Sequence, residues 1–193
     1  MADQSHVEAG NGEDVVSLLM RQHGEIRNLF DQVEASRGEE RREAMRQLVR
    51  LLAVHETAEE EVVHPVARRA YDGAEQVVQQ RLDEEHEAKQ RLSDLEDMDP
   101  ESDDFMPMLL ALRTSVMQHA RAEERYEFPH LRRTTSAERL RTMAKAVKTA
   151  ESVAPTRPRP GVESARANIA LGPVAALVDR ARDVVRRTFG RGK

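Results

Sequence analysis

The chain has no cysteine, which excludes disulfides, thiolate metal sites and thiol nucleophiles. Any metal it holds must be bound through nitrogen and oxygen. Aromatic residues make up only 3% of the 193 positions, and glycine and proline are sparse through the first 150, a profile of helices rather than sheets. No apolar run approaches the roughly 20 residues of a membrane span. The opening MADQSHVEAGNG lacks the basic start and apolar core of a secretory signal. The expected setting is soluble and cytoplasmic. The HExxH motif of zinc hydrolases, Gly-rich phosphate loops and a G-x-S-x-G nucleophile elbow are missing as well.

Charge is abundant and uneven, with 34% of the residues ionic. From Arg157 to Lys193, nine Lys or Arg stand against Glu163, Asp179 and Asp183, a net of +6, so the total of −5 leaves −11 for the preceding part. An acidic body therefore precedes a basic tail.

Apolar periodicity at three- and four-residue spacing predicts four long helical segments, at about Asp14 to Ala35, Glu39 to Ala70, Ala74 to Glu96 and Asp104 to Arg133. Pro65 should kink the second segment or end its regular part. TSAERLRTMAKAVKTAE, from Thr135, reads as a short fifth helix with Glu138 in its first turn. Short connections between long helices imply antiparallel neighbours, so the expected fold is all-α, an up-down four-helix bundle over residues 14–150. Residues 1–13 read as a disordered start, and 151–171, with Pro155, Pro158 and Pro160, as an extended linker. Over 172–193, Val174, Leu177, Val178, Ala181, Val184, Val185 and Phe189 share one face with Arg opposite, a basic amphipathic helix. Docking on the acidic bundle, on a membrane surface or on a protein partner are all open to such a tail. Nucleic acid is disfavoured, because the acidic body repels phosphate.

One stretch is written twice. HETAEEEVVHPVARR from His55 and HARAEERYEFPHLRR from His119 match at an offset of 64, with His55/His119, Ala58/Ala122, Glu59/Glu123, Glu60/Glu124, Pro65/Pro129, Arg68/Arg132 and Arg69/Arg133 aligned. His23 and His86 in the preceding segments lie 63 apart. Residues four apart share a helix face, so His55 with Glu59, and His119 with Glu123, each aim an imidazole and a carboxylate at one point. Leu48, Leu51, Leu52 and Val62 flank the first pair at helical spacing, and Leu112, Val116 and Tyr126 the second, which makes the ligand face the core face. Four His and two Glu buried alone would be costly. Two divalent ions, each taking imidazoles from two helices and bridged by the carboxylates, remove that cost and stay open to small ligands.

The order H, HxxxE, H, HxxxE over about Asp14 to Ala150 resembles the hemerythrin-like, or HHE cation-binding, family. The resemblance implies a four-helix bundle holding two non-haem iron ions joined by an oxo or hydroxo bridge. His23, His55, Glu59, His86, His119 and Glu123 would be the ligands, with Glu59 and Glu123 bridging. Oxygen carriers of the family have a second His where this chain has Gln90, and an Asp five residues after the fourth-helix His where this chain has Glu123 at four. The pattern is closer to the iron-sensing and iron-cluster-repair branches, without the Cys-bearing N-terminal region of the latter. In the iron-sensing branch the residue after the second His also binds iron; Glu56 holds that place and is either a seventh ligand or a solvated surface residue. Tyr126, three residues after Glu123, should turn towards the site, as a hydrogen-bond partner of a bound ligand, as a metal ligand itself, or as a core aromatic. His6, His64 and His130 read as surface residues. Ferritin-like bundles differ in using Glu-x-x-His with extra Glu.

The implied function is a di-iron protein binding or responding to dioxygen, hydrogen peroxide or nitric oxide, with catalase-like peroxide decomposition open to such a centre. An iron- or oxygen-responsive interaction module, whose tail engages a partner or a membrane in one metal state, is the alternative. A metal-free scaffold is the third.

Overall fold

The computed structural model describes residues 13–68 and 73–153, and among these every regular element is helical. Helix α1 (Val15–Ala35) is followed by α2 (Gly38–Ala58), a π-turn (Glu59–Val63) and α3 (His64–Ala67). Then come α4 (Ala74–Asp97), α5 (Phe105–Ala122), a second π-turn (Glu123–Glu127), α6 (Phe128–Thr134) and α7 (Ala137–Val153). The expected tail at 172–193, and nearly all of the expected linker and N-terminal segment, lie outside the described residues. None of the described helices is long and apolar enough to cross a membrane.

Local chemistry sets the ends of these helices. The Asp14 carboxylate accepts the Ser17 N–H at 2.8 Å and caps α1. Gly38 and Gly73 start α2 and α4 from turns at φ of +56° and +89°, where a Cβ would be strained. The two hairpin turns meet: Gly38 N–H donates to Glu101 at 2.8 Å, and Arg41 donates to the Pro100 carbonyl at 2.7 Å.

The second and fourth expected segments are each interrupted by a π-turn just before a proline, in the second at Pro65, where a kink or an end to the regular helix is expected. In each, the carbonyl of the motif glutamate accepts from the residue five positions on, Glu59 from His64 and Glu123 from Phe128, which is the π-type bond. Pro65 and Pro129 follow at once, at the starts of α3 and α6. Proline has no N–H and its ring collides with the carbonyl four residues back. Widening the preceding turn lets the chain continue past that collision, and the 64-residue repeat does so twice.

Two apolar clusters fill the molecule. One, centred on Ile26, Phe30, Leu48, Leu52, Leu92 and Leu112, joins α1, α2, α4 and α5 towards the hairpin turns. The other, with Val16, Leu19, Val63, Phe128, Leu131 and Val147, joins the start of α1, the first π-turn, α6 and α7. Each fully buried Leu or Phe contributes about 1.5–3 kcal/mol. On α4 the buried residues are Ala74, Val78, Arg81, Glu85, Ala88, Leu92 and Leu95, a regular three-four stripe; Val77 and Leu82 are half-buried. Between the clusters runs a layer of buried polar side chains.

Candidate metal centre

That layer takes residues from α1, α2, α4 and α5 and from both π-turns. His23 comes from α1, His55 from α2, Glu59 from the first π-turn, Glu85 from α4, His119 from α5 and Glu123 from the second π-turn. His23, His55, Glu59 and Glu123 bring one donor atom each within 4.8 Å of one another, and Glu59, Glu85 and His119 do the same. Glu59 belongs to both groups. Glu123 also spans them, with Oε2 at 3.5 Å from His23 Nε2 and Oε1 at 3.4 Å from His119 Nε2.

The outer ring nitrogens fix which way the imidazoles work. Nδ1 of His55 donates to Gln22 Oε1 at 3.0 Å, that of His23 to Glu124 Oε1 at 2.8 Å, and that of His119 to Glu84 Oε2 at 3.0 Å. With the proton on Nδ1, each Nε2 turns its lone pair to the interior, the arrangement of metal-bound histidine. His23 is held further by Phe128, stacked with ring centroids 5.7 Å apart.

The inward atoms are left without partners. His23 Nε2, His119 Nε2, both oxygens of Glu59 and of Glu123, and Glu85 Oε2 are buried and meet no hydrogen-bond partner among the described residues. Their mutual contacts of 3.4–3.5 Å exceed ordinary hydrogen-bond lengths. Seven orphaned donors converging on one layer fit divalent metal binding, since nitrogen and carboxylate donors at this density suit iron, manganese or zinc.

Electrostatics gives the same fit. Burial pushes Glu59 well above its ordinary 4.5, and the carboxylates of Glu123 and Glu85 push it further. Glu85 is raised by burial, and Glu127 by burial and Glu123 to about 7. Burial opposes the charge on Glu123 too, but His119 and His23 hold it well below the usual range. Burial opposes a charge on His119, but Glu123 raises its pKa well above the ordinary 6.5, so an ion binding at its Nε2 would displace a proton. Burial and the neighbouring His23 push His55 well below 6.5. The pocket holds more buried carboxylate than its own cations pair, and metal ions would supply the missing positive charge.

Five of the six residues expected from the sequence, His23, His55, Glu59, His119 and Glu123, come together. His86 does not: it is exposed, and Glu85 takes the inward place. Adjacent helical residues point about 100° apart, so only one of the two can join the stripe of Val78, Arg81, Ala88 and Leu92. Tyr126 is 63% exposed rather than turned inward, and Glu127 is buried instead. A regular helix would return Tyr126 to the His119 face after seven residues, but the extra residue of the π-turn sets it back about 100°. His64, expected on the surface, is buried for the same reason, with Nε2 at 2.6 Å from Glu85 Oε1. Glu56 is neither solvated nor in either donor group; it is buried, faces Lys89 Nζ at 3.9 Å, and is pushed by burial to about 8. His130 is half-buried.

A cavity of about 290 Å³ opens beside the layer, between α4 and α5. His23, His55, Glu59, Glu85 and His119 line it together with the apolar Ile26, Leu52 and Val116 and the less buried Arg91, Ser115 and Gln118.

Comparison with known proteins agrees with this geometry. A family model described as the hemerythrin HHE cation binding domain matches residues 14–131, more than half of the chain. A protein of Nostoc sp. named as a DNA nickase is 30% identical over 143 residues, which are 74% of this chain and 39% of that protein. The chain thus spans about two fifths of that relative's length. No solved structure was found to match. With the family match covering all the buried donors, the chain belongs to the hemerythrin HHE cation-binding domain family.

Proposed function

We propose that the protein is a cytoplasmic non-haem di-iron protein that binds or responds to dioxygen, hydrogen peroxide or nitric oxide, with catalase-like decomposition of peroxide within its reach. In this reading α1, α2, α4 and α5 form an up-down four-helix bundle, and α7 packs at the end away from the hairpin turns. The observation that supports it best is the convergence of buried donors from α1, α2, α4, α5 and both π-turns, five of the six residues with an unpartnered atom. When bound, a ferrous pair supplies two electrons to dioxygen, and a ferric pair takes two from peroxide. The residues do the rest. Gln22, Glu124 and Glu84 keep the Nε2 atoms of His55, His23 and His119 free for coordination. Glu59 and Glu123, each placed to reach both donor groups, would hold the ions. Ile26, Leu52 and Val116 limit water beside the site, and the cavity admits a ligand of a few atoms.

The name of the Nostoc relative points to phosphodiester cleavage, which two-metal sites perform in general. The match covers 39% of that relative, and the −11 body up to residue 156 repels phosphate. DNA is therefore not proposed as the substrate. The test is an ultraviolet-visible spectrum and iron analysis of aerobically purified protein, followed by addition of peroxide. Two irons per chain with oxo-to-iron charge-transfer bands are expected, and gas evolution assigns turnover rather than binding. A colourless protein that takes up no ferrous ion anaerobically overturns the proposal.

A further inference from the structure

We propose that α4 contributes Glu85, not a histidine, to the centre, and that His64 is the positioning residue that holds it there. This deepens the di-iron reading and rests on it. The two ion positions then differ: one is rich in imidazole, from His23 and His55, and the other has a single imidazole, His119, among carboxylates.

The assignment follows from the internal repeat. The motif helices correspond at an offset of 64, from His55 and Glu59 to His119 and Glu123, π-turns included. Two contacts then fix which residue of α4 corresponds to His23 of α1. First, His55 Nδ1 donates to Gln22 and His119 Nδ1 donates to Glu84, both at 3.0 Å. The residue after each acceptor is the inward one, His23 in the first half and Glu85 in the second. Second, Phe128, nine residues after His119, stacks on His23; His64, nine residues after His55, meets Glu85 at 2.6 Å. Both relations place Glu85 where His23 stands, at an offset of 62, and leave the exposed His86 out.

The chemistry of the pair fits that role. Glu85 and His64 are each 1% exposed. The His64 Nε2–H donates to Glu85 Oε1, while Oε2 has no partner. Glu85 Oε1 lies 3.9 Å from His119 Nε2. An outer-shell donor of this kind fixes the orientation of a ligating carboxylate, and its loss typically weakens metal binding 10–100-fold. A position with one nitrogen donor among oxygens is harder than one with two imidazoles. The two ions should therefore bind in sequence, the His23/His55 position first.

The test is anaerobic titration of the metal-free full chain with cobalt(II), followed by visible absorption and by elemental analysis after dialysis. Wild type should take two ions in two steps, Glu85→Gln one, and His86→Ala two with unchanged affinities. His64→Ala should weaken the second step 10–100-fold, and His64→Gln, which keeps an N–H donor, should recover part of that loss. Loss of an ion in His86→Ala, or two wild-type steps in Glu85→Gln, overturns the assignment. Since His86 is exposed, its variant keeps the assignment refutable even if Glu85→Gln does not fold. A wild-type chain that takes no ion overturns the underlying di-iron reading, an outcome distinct from a misassigned ligand.

Discussion

Replacing Glu59 by glutamine should move the stability of the metal-free and metal-loaded protein in opposite directions. The Glu59 side chain is fully buried, its two oxygens have no hydrogen-bond partner, and its nearest charged neighbours include two more carboxylates. An unsatisfied buried polar group costs about 1–3 kcal/mol, more when charged. Glutamine keeps the shape and removes the charge, so the metal-free variant should be more stable by about 1–3 kcal/mol at pH 8. In a domain of this size that raises the Tm by about 2–4 °C per kcal/mol. The pH dependence has a definite sign. The folded-state pKa of Glu59 lies well above the unfolded value of 4.5, so the folded chain binds the proton more tightly and wild type loses stability as pH rises between the two values. The advantage of the variant should be largest in alkaline buffer and fade as pH falls towards 4.5. With metal the order reverses, because an ion held at 100 times its Kd adds about 2.7 kcal/mol and wild type binds both ions. The assay is chemical denaturation followed by circular dichroism, in chelator and in excess cobalt(II). Equal or lower stability of the variant in chelator, or an equal gain from metal in both proteins, would refute the reasoning.

Three further outcomes are expected. Glu56→Gln should flatten the stability-pH profile of the metal-free chain: Glu56 rises from 4.5 unfolded to about 8 folded, so it lowers stability with rising pH by at most about 1.4 kcal/mol per unit across that window, and the difference between parallel wild-type and variant melts isolates it. Phe128→Ala should cost about 3–5 kcal/mol, measured by denaturant titration, through the cavity it leaves, and because Phe128 stacks on His23 it should also lower metal affinity in the same cobalt titration. Deleting residues 155–193 should leave metal stoichiometry unchanged by elemental analysis, since every donor found among the described residues lies between His23 and Glu123.

Much of the centre could be read from the repeat, because His55/Glu59 and His119/Glu123 sit at spacing that any helix places on one face. The choice on α4 could not be read from His-to-His spacing, since Glu85 and His86 are adjacent, both polar, and differ only in which joins the buried stripe. The signal was nonetheless present: 78, 81, 85, 88, 92 and 95 form an unbroken three-four series, and 86 falls outside it. The π-turns were less legible. Pro65 and Pro129 announced a disturbance, but a kink and a widened turn look alike in sequence. Only the widened turn turns His64 and Glu127 inward and Tyr126 outward. The misplacements of His64 and Tyr126, and the burial of Glu127, share one physical cause, an extra residue per turn beside each motif glutamate.

Iron per chain, measured after anaerobic loading with ferrous salt and removal of free metal, tests the central claim most directly when wild type is compared with Glu123→Ala. Glu123 reaches towards both His23 and His119, so the account predicts two irons in wild type and no more than one in the variant. Two irons in Glu123→Ala, or none in wild type, would contradict it.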